Sequence, residues 1–138
     1  MRLHEYEGAE IFDKAGIPVP RYRVAETVEE ALKAGDVIGY PVMVKAQVLV
    51  GGRGLAGGIK TANTPQELES HAGSLLGSEV RELPVRKVMV CARQDIAREF
   101  YMGVTVDGYE GKPALVVSTK GGVRIEETAS RSPEKVAA

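Results

Sequence analysis

The chain is short of several things, and each shortage removes a class of protein. It has one cysteine, Cys91. A single thiol cannot build an internal disulfide framework, and it fits a reducing compartment. Its two histidines, His4 and His71, stand in separate segments without metal-ligand spacing, so a metal site on them is not expected. Eighteen basic and nineteen acidic residues leave a net charge of −1, without the basic excess of a general nucleic-acid binder. No apolar run approaches the roughly 18 residues that a membrane span requires. The opening "MRLHEYEGAEIF" carries glutamates where a secretory signal needs an apolar run. These absences point to a cytoplasmic, soluble protein with neither nucleic acid nor membrane as partner. At 138 residues, 43% of them hydrophobic, one domain or two small lobes can bury a core.

What is present reads as alternating helices and strands. Residues 4–15 form an amphipathic helix, with Leu3, Tyr6, Ile11, Phe12 and Ala15 near one face and Gly16 closing it. Pro18 and Pro20 forbid helix in the next stretch, and residues 21–25 start a strand. Thr27 and Glu30 stand in capping-box spacing before a helix that stops at Gly39. "PVMVKAQV" alternates as a strand, with Val42, Val44, Ala46 and Val48 on one side and Met43, Lys45 and Gln47 on the other. "GIKTAN" is a second short strand, and Thr64, Pro65 and Glu67 open a third helix that ends at Gly77. "RKVMVCAR" is another strand, and residues 98–119 read as a hairpin. The order from 21 to 93 is β-α-β-β-α-β. It predicts a small mixed sheet covered by helices on one face, with the hairpin starting another sheet. The closing "ETASRSPEKVAA" supplies no closing element, which suggests a fragment or one lobe of a longer chain.

Within "VKAQVLVGGRGLAGGIK", five of the nine residues from Val50 to Gly58 are glycine, with Lys45, Arg53 and Lys60 around them. "GRGLAG" matches G-x-G-x-x-G, but a Rossmann site needs a helix after it, and a strand follows here. A Walker A loop fails because no Gly-Lys-Ser/Thr occurs. A glycine-rich turn between antiparallel strands is left, which can act as a flap over phosphates. Glycine lets backbone N–H groups approach anionic oxygens and accepts φ > 0. Lys45 on the incoming strand supplies a point charge, and Arg53 at the tip a planar set of donors. A plain flexible connection with a solvent-facing Lys45 stays open beside this reading. RNA binding through "GGRG" finds a single copy, no nearby aromatic residue and no positive net charge.

Elsewhere, Cys91 alternates with Met89 and Arg93 in a strand and reads as a packing residue rather than a nucleophile. Asp95, Arg98 and Glu99 gather where one sheet ends and the next begins, which makes either a ligand site between lobes or a solvated turn. "STKGGVRIE" holds a further glycine pair.

As a set, "LHEYEGAEIF", "AGIPVP", "VKAQVLVGGRGLAGGIK", "DIAREFYMG" and "STKGGVRIE" resemble the β subunit of succinyl-CoA synthetase, an ATP-grasp acyl-CoA ligase. They keep that family's order from Leu3 to Glu126, nearly the whole chain. The resemblance implies an ATP-grasp fold of class α+β that clamps a nucleotide, ATP or GTP, between two lobes. Residues 22–94 would form the first lobe, and 1–21 with 95–138 part of the second. Lys45 would contact the phosphates, and Gly52, Arg53 and Gly54 would cover them. Residues 91–99 would hold adenine and ribose, with Glu99 the leading side-chain contact and Cys91 and Gln94 subsidiary ones. The family commonly has glutamate where this chain has Cys91, so a side-chain contact there would be lost and a backbone contact kept. The family joins succinate to CoA at the expense of a nucleoside triphosphate, through a phosphohistidine on a separate α subunit. Magnesium assists, and its ligands would lie beyond Ala138, as would the CoA-ligase domain. The 138 residues alone are therefore expected to lack ligase activity. A malate- or citrate-CoA ligase, and a non-catalytic nucleotide-binding or subunit-binding module, are the alternatives.

Overall fold

The computed structural model describes residues 2–119 and 136–137. Residues 1–94 and 95–138 form two units. The first unit contains α1 (Glu5–Lys14), β1 (Tyr22–Ala25), α2 (Val28–Ile38), β2 (Val42–Ala46), β3 (Ile59–Ala62), α3 (Pro65–Leu75), β4 (Glu79–Val80), β5 (Leu83–Pro84) and β6 (Val88–Ala92). The second contains β7 (Tyr101–Asp107), β8 (Lys112–Ser118) and β9 (Val136–Ala137).

The helix starts follow from their caps. Thr27 Oγ1 accepts the Glu30 N–H at 3.2 Å, and Thr64 Oγ1 accepts the Glu67 N–H at 3.2 Å. The N3 glutamates reach back in turn, Glu30 to the Glu26 N–H and Glu67 to the Asn63 N–H. Each helix thereby satisfies donors that would otherwise face solvent unpaired. α2 closes on Gly39 at φ 87°, a conformation that suits glycine.

The main sheet has the order β1-β6-β2-β3, and every neighbouring pair is antiparallel. This corrects the mixed sheet expected from the element order. β1 and β2, joined through α2, do run the same way, but β6 lies between them and opposes both. The α+β class is as expected.

Valine alternation sets the layers. Val42 and Val44 of β2 and Val88 and Val90 of β6 are fully buried with Ala31, Ala34 and Ile38 of α2 and Leu68, Ala72 and Leu75 of α3. At Gly35 the two helices approach so closely that a Cβ would collide with Leu68 Cδ2 and Tyr40 Oη. The opposite face of β2 and β6 carries Met43, Lys45, Met89 and Cys91, with Met43 opposite Cys91 and Lys45 opposite Met89.

α1 is tied to that opposite face. The Tyr6 N–H donates to Gln47 Oε1 at 3.3 Å, and the Tyr22 hydroxyl donates to the Tyr6 carbonyl at 3.3 Å. α1 has no buried residue, and Ile11 and Phe12 are about half exposed. Polar contacts rather than a buried apolar stripe therefore hold it. Residues 1–21 were expected with 95–138; here they group with 22–94, because the partners of Glu5, Tyr6 and Tyr22 lie within those residues. Helices consequently touch both faces of the sheet rather than one.

In the second unit β7 and β8 pair from Tyr101↔Ser118 to Asp107↔Lys112, the expected hairpin. Asp107 Oδ1 accepts the N–H groups of Tyr109 and Glu110 in its turn, and Gly111 takes φ 66°. β9 adds to β8 through Val117↔Ala137 and Ser118↔Val136. Residues 120–126 of "STKGGVRIE" and most of "ETASRSPEKVAA" lie outside the described residues. Among the described residues no helix is long and apolar enough to cross a membrane.

Candidate functional site

Strand alternation puts Lys45 on the face away from the core, and the antiparallel partner β3 returns along Val42↔Ala62 to Lys45↔Ile59. The Ala46 N–H bonds the Gly58 carbonyl at 2.8 Å and the Gln47 N–H bonds the Lys87 carbonyl at 2.9 Å, which fixes both ends of the glycine-rich connection. Gln47 is buried and its side-chain amide donates back to the Lys45 carbonyl at 3.0 Å.

The connection is an ordered turn. The Ala56 N–H reaches the carbonyls of Gly52 and Arg53, Gly57 N–H reaches Gly54, and Gly58 N–H returns to Arg53 at 2.8 Å. Gly52 and Gly57 take φ 72° and 75°, where L-residues are strained. Gly58 is needed for another reason: a Cβ there would stand 3.2 Å from the Arg53 carbonyl and 3.3 Å from both γ carbons of Val80. The backbone N–H groups of Gly52, Arg53 and Gly54 have no hydrogen-bond acceptor among the described residues. Successive amides of this kind, one at φ > 0, make an anion-binding concavity.

Lys45 and Arg53 meet on one carboxylate. Lys45 Nζ donates to Glu5 Oε1 at 2.8 Å, and Arg53 Nη2 donates to Glu5 Oε2 at 2.5 Å. Arg53 Nη1 also donates to the Ala46 carbonyl at 2.6 Å. The guanidinium was expected to project from the tip of the loop. Instead it folds back to β2 and α1 and is only 16% exposed, while Leu55 takes the exposed position in the turn. Burial pushes the Glu5 carboxyl up, but the hydrogen bonds and charges of Lys45 and Arg53 outweigh it and hold the group below its ordinary range.

The other expected residues fall in three places. Cys91 is buried on the Lys45 face; burial pushes its thiol up against the opposing pull of Lys45, so the group is a neutral packing thiol, not a nucleophile. Gln94 is exposed at the end of the first unit, and Glu99 is exposed in the second. His71 Nε2 lies 3.1 Å from the Thr61 carbonyl, and His4 pairs with Glu7 at 3.1 Å, which are structural roles. An open groove of about 500 Å³ runs past Asp13, Pro20, Arg21, Tyr22, Val37 and Ile38, but neither basic residue of the loop lines it. Among the described residues no group of three His, Cys, Asp or Glu side chains could hold a metal ion.

Sequence reasoning missed Glu5. Its visible signal was an acidic residue in the first turn of a helix, which the helix dipole alone would favour. Only the tertiary placement of α1 reveals its two cationic partners.

Lys45 thus stands on a strand that enters an ordered glycine turn with three amides unpaired among the described residues, on an antiparallel α+β scaffold. Residues 2–138 match the ATP-grasp domain family, and the chain belongs to it. It is 50% identical over 137 residues to the succinate–CoA ligase [ADP-forming] subunit beta of Haloarcula marismortui. It is 46% identical over 136 residues to the [GDP-forming] subunit beta of Thermus thermophilus. Each alignment covers 99% of this chain and 36% of the relative, so the chain spans about a third of the length of the curated relatives it matches. Among solved structures it resembles a dinucleotide-forming acetyl-coenzyme A synthetase of Ca. Korarchaeum cryptofilum, solved with coenzyme A, Ca-AMPCP and HgCl+. That match has a TM-score of 0.76 and 26% identity, covering 90% of this chain and 56% of the other.

Proposed function

We propose that the chain is the nucleotide-binding ATP-grasp part of a succinate–CoA ligase β subunit, and that the nucleotide phosphates bind at Lys45 and the Gly52–Gly54 turn. The observation that carries this is that Lys45 shares Glu5 with Arg53 of a turn whose three successive amides are unpaired among the described residues, in a member of the ATP-grasp family. A lysine ammonium has three N–H donors. Glu5 takes one, and the others are available to phosphate oxygens. Amides at Gly52, Arg53 and Gly54 add neutral donors that need no reorganisation, and the missing Cβ atoms at 52 and 54 let oxygens approach the backbone. Arg53 serves the phosphate through its amide and holds the turn through its side chain. Glu99, with Cys91 and Gln94 as subsidiary contacts, completes the reading for base and ribose.

Succinate and CoA as co-substrates, and an α subunit as partner, follow from the similarity to the succinate–CoA ligase β subunits. Magnesium would shield phosphate charge during transfer, with ligands outside the described residues. The nucleotide is ATP or GTP, since both ADP-forming and GDP-forming β subunits are among the similar relatives.

A segment exchange tests the reading. Residues 2–138 replace the aligned segment of the Haloarcula β subunit, which is then assembled with that enzyme's α subunit. Succinate-dependent formation of succinyl-CoA with ATP or GTP is expected. A folded, assembled hybrid that binds coenzyme A but shows no nucleotide-dependent reaction would contradict it.

A further inference from the structure

We propose that Glu5 is a positioning residue for the nucleotide phosphates: from the first turn of α1 it orients Lys45 and, through Arg53, keeps the 52–58 turn in its binding form. This rests on the phosphate reading of the same loop. Each carboxylate oxygen of Glu5 serves one cation, Oε1 the Lys45 ammonium and Oε2 the Arg53 guanidinium. All three side chains are largely sheltered, at 23%, 16% and 30% exposure for Lys45, Arg53 and Glu5. In such surroundings charge-assisted pairs fix geometry better than they do in water.

Two further observations separate this from an ordinary ion pair. The first is charge: two cations and one anion leave the cluster with a single positive charge, so Glu5 relieves the repulsion of Lys45 and Arg53 without cancelling their attraction for phosphate. The second is connectivity. Arg53 is held at Ala46 of β2 and at Glu5 of α1, and its own carbonyl accepts the N–H groups of Ala56 and Gly58 that close the turn. Glu5 therefore reaches the loop backbone through one residue. Since α1 buries no side chain, this contact is also a principal tether of the helix, and the test must distinguish loosening the helix from misplacing the cations.

The experiment compares the full chain as wild type, Glu5→Gln, Glu5→Asp and Tyr22→Phe. Tyr22→Phe removes the hydroxyl contact to the Tyr6 carbonyl, loosening α1 without touching either cation. Amide exchange of Ala56, Gly57 and Gly58 is read by NMR without nucleotide, and ATP binding by calorimetry. Glu5→Gln is expected to speed exchange at these amides and weaken ATP binding, each by about tenfold, the scale of one charge-assisted hydrogen bond. Tyr22→Phe should change neither, and Glu5→Asp, which keeps the charge, should fall between wild type and Glu5→Gln. Unchanged turn exchange in Glu5→Gln overturns the proposal. So does ATP affinity that is unchanged or rises, since a rise means that the carboxylate competes with phosphate. If wild type itself shows no ATP binding, the phosphate reading fails, while the exchange measurement still decides whether Glu5 holds the turn.

Discussion

The glycines of the 51–58 connection are not equivalent, and replacing three of them singly by alanine should separate their roles. A Cβ at Gly51 meets nothing within 4 Å, and its φ is not in the left-handed region. Gly51→Ala should therefore change stability by less than about 0.5 kcal/mol. A Cβ at Gly57 is also unobstructed, but φ is 75°, where an L-residue costs about 1–2 kcal/mol. Gly58 has the opposite problem: the Cβ would stand 3.2 Å from the Arg53 carbonyl and 3.3 Å from both Val80 γ carbons. The backbone there is held by bonds from the Gly58 N–H to Arg53 and from the Ala46 N–H to the Gly58 carbonyl, and Val80 is 3% exposed. Neither side can yield easily, so overpacking of about 1–3 kcal/mol is expected. Thermal melting by circular dichroism resolves these values, since about 1 kcal/mol moves the midpoint by roughly 4–8 °C in a domain of 60–100 residues. Val80→Ala should relieve part of the Gly58→Ala cost, giving a double variant less destabilised than the sum of the two. Equal costs at 51 and 58, or strict additivity with Val80→Ala, would refute the turn geometry described here.

Two further outcomes are expected. Leu68 is fully buried between the helices and the sheet, so Leu68→Ala should cost about 2–5 kcal/mol in denaturant unfolding. Glu5 has a folded pKa below its ordinary value of 4.5, so its stabilisation is complete above that value and is lost as the pH falls through the folded pKa. The stability gap between wild type and Glu5→Gln should accordingly be constant near neutrality and close in acid; a gap that widens in acid contradicts the ion-pair assignment.

Much of the first unit was legible because its signals are local. Capping-box spacing at Thr27 and Thr64 marked two helix starts, where the threonine hydroxyls do accept the N3 amides, and valine alternation in β2 separated Lys45 from the core. What the sequence concealed is non-local or chemically unusual. The insertion of β6 between β1 and β2 depends on long-range pairing that no local pattern encodes. The β4–β5 hairpin turns through Arg81 and Glu82 at φ 51° and 66°, whereas the recognisable signal for such a turn is Asn-Gly. The loop's place, a glycine-rich turn between two antiparallel strands with Lys45 on the incoming one, is as expected. The side chain of Arg53 is not, because its acceptors, Ala46 and Glu5, are seven and 48 residues away in sequence. The absence of a buried stripe on α1 was equally hidden, since its sequence is amphipathic while Ile11 and Phe12 remain exposed.

The central claim is that Lys45 contacts nucleotide phosphate. Its most direct test is calorimetric titration of ATP into wild type and Lys45→Ala at fixed, low ionic strength, with folding of both checked by circular dichroism. Loss of a charge-assisted contact worth about 1.5–3 kcal/mol should weaken binding by roughly 10- to 150-fold. Equal affinities for the two proteins would remove Lys45 from the site and contradict the account.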